Sequence, residues 1–409
     1  MRIVLSTENF DAFAGTETYT FTVAKELERL GHEAVIYSPN RGAMAKFARA
    51  GGLRVVGASA LPRSCDAAIC SDAATCHELA ARASDAARIF VAHSADFMLQ
   101  APPQLRDRAD AVVVLNDRVG RAMRARAWHA PIVRLHQPVD LLRYVNLGPP
   151  RPSPRVALVL DNNLSRARAQ LIADACRASG LEYRRVGVGE LVTPLPELAI
   201  ADADLVIGLG RSALEAMAAG RPTYVYGPVG GDGWVTPARY PAMEADGFAG
   251  ISARDLVIDA ARMSEDLRSW NEHMGEVNRD LASAHHSARE HATELVELAR
   301  TLEHGRPAEA PLADECAHLV RLEWQAQGRL AGCIAEVERL RTRLAETEDR
   351  LADAHAELRT AHAELVHVHD EIRESEERLE AFRRTRRYRL AVTAAAPLDR
   401  LRRWLGTRP

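Results

Sequence analysis

Short runs of consecutive apolar residues alternate along the chain with longer segments whose apolar positions recur every three to four residues. "RIVLS" (2–6) is followed by an amphipathic stretch from Gly15 to Leu30 and then by "HEAVIYS" (32–38). The alternation continues through "DAAIC" (66–70), "RIFVAH" (88–93) and "AVVVLN" (111–116). Runs that are apolar throughout suit strands buried on both faces, and the intervening 3.6-residue pattern predicts crossover helices, so the first part reads as a Rossmann-like unit with a parallel sheet. At "NLGPPRPSPR" (146–155) the pattern breaks into a Pro-rich connector, which places a domain boundary near residue 150. Beyond it "RVALVLD", a helix across Ser165 to Ser179, "EYRRVGV", "ADLVIGL", a helix from Ser212 and "PTYVYG" predict a second Rossmann-like unit over 151–304, closed by helices from Ala253 to about His304.

The period changes at Leu330. Leu330, Val337, Leu344, Leu351, Leu358, Leu365, Ile372 and Leu379 recur every seven residues, with Cys333, Leu340, Thr347, Ala354, Ala361, Val368, Ser375 and Phe382 three positions on. This is a heptad a/d pattern with a strong a series and a mixed d series, predicting a coiled coil within 305–382 and hence a homo-oligomer; the pattern leaves helix direction and number open. The tail, 383–409, carries nine arginines against one acid, Asp399. After Pro397, Leu398, Leu401, Trp404 and Leu405 share one helical face and Arg400, Arg402 and Arg403 occupy the others, a pattern suited to an anionic membrane surface.

Composition narrows the function classes. The 409 residues carry a formal net charge of −3, which argues against a nucleic-acid partner. The six cysteines contain no C-x-x-C pair and the N-terminus reads as no signal peptide, so reduced thiols in a cytoplasmic protein are expected. Cys70, Cys76 and His77 form the one sequence cluster of metal-ligand types, read as ordinary thiols at a helix start; no metal or other cofactor is expected.

Two strand-to-helix junctions carry candidate chemistry, because ligands of open parallel sheets bind beyond the carboxyl ends of strands, where helix N-termini offer free N–H groups. At the first, a loop delivers Gly15 and Thr16 to a helix start. At the second, "GLGRSALEAMAAG" (208–220), Ser212 is a candidate N-cap, Arg211 adds a cation, and Glu215 stands three residues after Ser212. That spacing fits a capping box and fits equally a ligand-facing carboxylate.

The pair "GTETYTFTVAKELERLGHEAVIYSP" and "ADLVIGLGRSALEAMAAGRPTYVYG", with "VAHS", "VVVLNDRVGRAM" and "QPVDLLRY" between them, resembles GT-B glycosyltransferases of the retaining family-4 type, over roughly Met1 to Gly250. The resemblance implies an α/β fold of two Rossmann-like domains facing a cleft, with an acceptor-side domain over 1–150 and a nucleotide-sugar domain over 151–304. It implies that Glu215 holds the donor ribose, that Ser212 and Ala213 present backbone N–H groups to the diphosphate beside Arg211, and that His93 faces the donor sugar near the reaction centre. Gly15 and Thr16 then approach phosphates and acceptor. The position eight residues before Glu215, an acid in that family, is Ile207 here. The grip on the sugar is therefore expected elsewhere, with the "GGDGW" loop bearing Gly231 and Asp232 as a candidate. Arg166 or Arg168 stands in for the family's basic pair. The activity implied is metal-independent transfer of a sugar from a nucleotide-sugar to a surface glycan or lipid-linked saccharide, at the cytoplasmic face of the membrane. A non-catalytic GT-B module organising glycan assembly is the alternative.

Overall fold

The structure is a computed structural model. It describes all residues except 84, 95–96, 106–107, 126–129, 162–163, 188–192, 194, 229, 254–256, 258, 303–308, 405 and 407–409, and it leaves the side chains of 396–404 undescribed. The described chain divides into two bodies, Met1–Ala326 and Gln327–Pro409.

The first body holds two α/β units. In the first unit the strands are β1 (Arg2–Ser6), β2 (Asn9–Phe10), β3 (Glu33–Tyr37), β4 (Asn40–Arg41), β5 (Arg54–Val56), β6 (Ala67–Cys70), β7 (Ala87–Ala92), β8 (Ala111–Val114) and β9 (Ile132–Arg134). Its helices are α1 (Gly15–Arg29), α2 (Ala43–Ala50), α3 (Ala73–Arg82) and α4 (Asp117–Ala125). Seven strands form one sheet in the order β5-β3-β1-β6-β7-β8-β9, parallel throughout, and β2 pairs β4 beside it. The apolar runs explain this directly: Ile3 and Leu5 face one core layer and Val4 the other, and both layers are buried. The order turns around β1, so β1 and β6 flank a topological switch point.

The second unit comprises β10 (Val156–Leu160), α5 (Arg166–Ala178), β11 (Glu182–Val186), α6 (Pro196–Ala201), β12 (Leu205–Gly208), α7 (Gly210–Ala218), β13 (Thr223–Gly227), β14 (Gly230–Trp234), α8 (Tyr240–Asp246), α9 (Ala260–Arg268) and α10 (Met274–His285). Its sheet runs β11-β10-β12-β13-β14 with only β14 antiparallel, and the switch point lies between β10 and β12.

Two details depart from the sequence reading. "GGDGW" is not a loop but the edge strand β14. Its glycines are needed for contact: a Cβ on Gly231 would stand 2.3 Å from the Val225 carbonyl oxygen, and the register with β13 shifts at Val225/Gly227. The helix α11 (Ala288–Thr301) follows the second unit in sequence yet packs on α1, adding Ala292, Leu295 and Val296 to the core of the first unit.

Helix α12 (Ala310–Arg384) begins on the first unit, where Ala317 and Val320 join the core. Arg321 there donates to Glu8 at 2.9 Å and to Glu78 at 2.8 Å. The second body consists of the rest of α12 and α13 (Arg386–Trp404). Along α12 the apolar heptad positions are open to solvent, from Leu330 at 62% exposure to Phe382 at 55%. The expected apolar face of Leu398, Leu401, Trp404 and Leu405 falls outside the described side chains; the α13 backbone is helical through Pro397.

Candidate functional site

The carboxyl ends of β10, β11 and β12 and the start of α1 line a cleft between the two units, with about 820 Å³ of empty space including its open mouth. From the first unit come Phe13, Gly15, Thr18 and Met44. The second supplies Asp161, Gly187, Arg211, Ser212 and Glu215, and the connecting segment contributes Arg143 and Tyr144. The β10/β12 switch point opens onto it, which is where open α/β sheets bind ligands.

Glu215 is 6% exposed, on the buried side of α7. Its Oε1 accepts from Arg211 Nε at 3.0 Å. Burial raises its pKa, opposed by the nearby guanidinium groups of Arg211 and Arg143. Arg211 reaches further: Nη2 donates to Thr22 Oγ1 on α1 at 2.8 Å, and Nη1 to the Pro138 carbonyl at 3.3 Å. One cation thus ties the carboxylate to the opposite unit.

The capping-box reading does not hold. Helix α7 begins two residues before Ser212, because Gly210 adopts φ +49° and turns the chain into the helix directly after Leu209, the N-cap. The backbone N–H of Ser212 donates to the Leu209 carbonyl at 3.0 Å, and that of Ala213 to the same oxygen at 3.4 Å. Glu215 therefore does not cap α7, and its partner is Arg211.

The remaining sequence candidates separate by location. Gly15 is the first residue of α1 and lines the cleft; a Cβ there would meet nothing within 4 Å, so its contribution is an open mouth rather than a required backbone shape. Thr16 follows it, accepting from Thr20 Oγ1 through its carbonyl at 3.0 Å. Arg168 turns away from the cleft lining to the Pro228 carbonyl at 3.2 Å and the Tyr226 hydroxyl at 2.9 Å, and Arg166 is an exposed first residue of α5. Asp232 is 2% exposed on β14, accepting from the Ala253 N–H at 2.8 Å, and neither it nor Gly231 lines the cleft. Ile207 lies wholly within the core of the second unit on β12, so the position eight residues before Glu215 does not face the cleft at all.

His93 follows β7 with its ring edge-on to Tyr19 at 4.9 Å. Its Nε2 is buried without a hydrogen-bond partner among the described residues. Burial and then the Arg211 charge lower its pKa to about 4, so the ring is neutral at pH 7. Tyr19 in turn bonds His291 Nε2 at 2.8 Å, and His291 Nδ1 meets the His136 carbonyl at 2.9 Å; burial lowers the His291 pKa to about 3. With its Nδ1 donating to that carbonyl, the neutral ring accepts from the tyrosine hydroxyl through Nε2.

Neither Tyr19, His291, Arg143 nor Tyr144 stood out in the sequence. Arg143 lies in the quoted "QPVDLLRY" and forms a two-point pair with Glu197, at 3.1 and 2.9 Å. Glu17, in the first turn of α1, is a further omission: burial, then Asp11 and Asp72 against the favourable effect of its own backbone, raises it to about 7. A carboxyl whose folded pKa is raised stabilises the fold below its unfolded pKa and loses that contribution as pH rises through about 7. Glu17→Gln is therefore expected to melt at the wild-type temperature near pH 4 and above it at pH 8, by roughly 2 kcal/mol in stability.

Cys76 and His77 are buried and engaged with Arg108: the Cys76 thiol donates to the Arg108 carbonyl, and His77 Nδ1 accepts from Arg108 Nε. Among the described residues, the grouping of three side chains with metal-ligand atoms close together is His136, Glu244 and His286. Its donors are already used: His286 bonds Tyr240 at 2.9 Å and the Gln137 carbonyl at 2.8 Å, and Glu244 pairs with Arg134 and His136.

No protein-family model and no curated protein sequence matches the chain. Solved structures do. The Anabaena protein HepE, solved with UDP and glucose, superposes with TM-score 0.51 at 15% identity, over 74% of this chain and 100% of HepE. A variant of S. aureus TarM, solved with fondaparinux, alpha-GlcNAc-glycerol and UDP, gives TM-score 0.52 at 9% identity, with 74% and 100% covered. The chain therefore has a GT-B-like fold, two Rossmann-like units facing a cleft, with a long C-terminal helix appended.

Proposed function

We propose that the chain is a nucleotide-sugar-dependent glycosyltransferase that binds its donor in the cleft against the second unit. The observation that carries this reading is Glu215, buried between the Arg211 and Arg143 cations at the carboxyl ends of β10 and β12. HepE and the TarM variant were each solved with UDP, which supports a nucleoside diphosphate as the ligand class. Arg211 engages Oε1 of Glu215, and the carboxylate, lining the cleft, accepts from ribose hydroxyls in this reading. Arg211 and Arg143 supply positive charge for the departing diphosphate, the electrostatic part of the chemistry. His93, neutral at pH 7 and outside the cleft lining, adds no charge beside the donor. No metal takes part in this scheme, and the configuration at the transferred carbon is retained.

The acceptor in this reading is a surface glycan or lipid-linked saccharide. The exposed heptads associate two or more copies of the chain, and the arginine-rich segment from residue 383 rests on an anionic inner leaflet, where each basic side chain contributes about 1 kcal/mol. No helix among the described residues is long and apolar enough to cross a membrane. Removing residues 383–409 is expected to abolish co-flotation with phosphatidylserine vesicles; equal flotation of both chains would remove the membrane role.

Incubation with UDP-, GDP-, CDP- and ADP-sugars tests the catalytic reading: one sugar nucleotide is expected to release its diphosphate in the presence of cell glycans. The burial of Ile207 favours a second reading, a non-catalytic GT-B module that organises glycan assembly, since no acid at that position reaches a donor sugar. Diphosphate binding without release from any of the four donors would select it.

A further inference from the structure

We propose that α12 pairs with α12 of a second copy in antiparallel orientation, with the two-fold axis beside Ala356; this rests on reading residues 330–382 as a self-associating helix. The stripe it would cover is exposed along the single chain, with Leu351 at 55%, Leu358 and Leu365 at 69% and Leu379 at 51%. Two independent features of the stripe choose the direction.

The first is volume. In a parallel, in-register pair each d residue meets itself, so Cys333, Thr347, Ala354, Ala361 and Ser375 would form five layers of small or polar side chains across nearly 80 Å of helix. In the antiparallel pair an a residue meets a d residue. Leu351 then faces the partner's Ala361, Leu358 the partner's Ala354, Leu365 the partner's Thr347 and Leu379 the partner's Cys333. Every layer gains a branched aliphatic opposite its small residue, which fills the space a same-residue layer leaves empty.

The second is charge. The positions flanking the stripe on its g side are Glu336, Arg343, Arg350, Glu357, Glu364, Glu371 and Arg378. Antiparallel coils set g against g. About this axis Glu336 meets the partner's Arg378, Arg343 the partner's Glu371 and Arg350 the partner's Glu364, and only Glu357 meets its own like. A parallel pair sets g against e. Glu336 and Arg343 would find opposite charges there, but Glu371 would face the partner's Glu376 and Arg378 the partner's Arg383, attraction and repulsion in equal number. Sliding the antiparallel register one heptad either way brings Glu336 against the partner's Glu371, or Arg343 against the partner's Arg378. Neither Arg350 nor Glu364 has an ion-pair partner on its own chain among the described residues, so this pair reads the contact between copies cleanly.

Sedimentation equilibrium of the full chain with Arg350→Glu, Glu364→Arg and both together tests the arrangement. Each single substitution occurs twice per dimer and is expected to raise the dissociation constant about tenfold, and the double is expected to return it to within about twofold of the wild type. The two positions lie about 21 Å apart on one helix, so rescue cannot arise within a chain. A double variant no tighter than the singles would overturn the orientation, as would a disulfide between two Cys333 residues on oxidation of the wild-type chain. A wild-type mass of one chain at every concentration would instead overturn the self-association on which the orientation rests, while leaving the donor cleft untouched.

Discussion

Arg211→Ala is expected to destabilise the protein by about 3 kcal/mol in urea unfolding, the largest stability effect of any single substitution at the cleft. Removing one member of a buried ion pair leaves the other charged and desolvated, which costs more than the pair contributed. Both side chains here are about one-tenth exposed. The loss also cuts the link across the cleft to Thr22 and Pro138. Glu215, already raised by burial with the guanidinium present, rises further without it. A carboxyl with a raised folded pKa stabilises the fold at low pH and ceases to as pH rises through that value, so the variant should be weaker at pH 8 than at pH 5. Arg211→Ala with Glu215→Ala is expected to be more stable than Arg211→Ala alone, because no charge is then stranded. If the single variant matches the wild type, the guanidinium does not hold the carboxylate in solution.

The second large effect concerns the ligand. Glu215→Ala is expected to lower affinity for the cognate nucleoside diphosphate by 10- to 100-fold, the size of a lost hydrogen bond to a charged group. Arg143→Ala should weaken diphosphate binding while leaving binding of the free nucleoside near its wild-type value, since a guanidinium acts on the phosphates. Titration calorimetry with a nucleoside and its diphosphate separates the two.

Much of the fold was legible because parallel strands are buried on both faces and write themselves as unbroken apolar runs. β1, β3, β6, β7, β8, β10, β12 and β13 all fall where such runs lie. By composition the glycines of "GGDGW" signal a turn, whereas in the structure the missing Cβ of Gly231 lets the edge strand β14 approach Val225 and Tyr226 closely. Serine at 212 is a good cap by residue type, but the positive φ of Gly210 lets α7 begin two residues earlier.

The cleft was legible only in part. Gly15 opens α1, and Arg211, Ser212 and Glu215 lie in the first two turns of α7 after β12, so the strand-to-helix pattern that the sequence shows carries them to the ligand-binding edge. Arg143 and Tyr144 come from the connecting segment, where no strand or helix period fixes direction. His291 reaches Tyr19 across 272 residues of sequence, a pairing that no local pattern records. Ile207 illustrates the converse. Eight residues separate it from Glu215 in a spacing rule, but its place on β12 puts it in the core, so it was never a candidate for the cleft wall.

Titration calorimetry of UDP, GDP, CDP and ADP against the full chain and Glu215→Ala tests the donor cleft most directly. One of the four is expected to bind the wild type in the micromolar range and to lose most of that affinity in the variant. Failure of all four to bind the folded wild-type protein, or equal binding by the variant, would contradict the assignment of this cleft to a nucleotide-sugar.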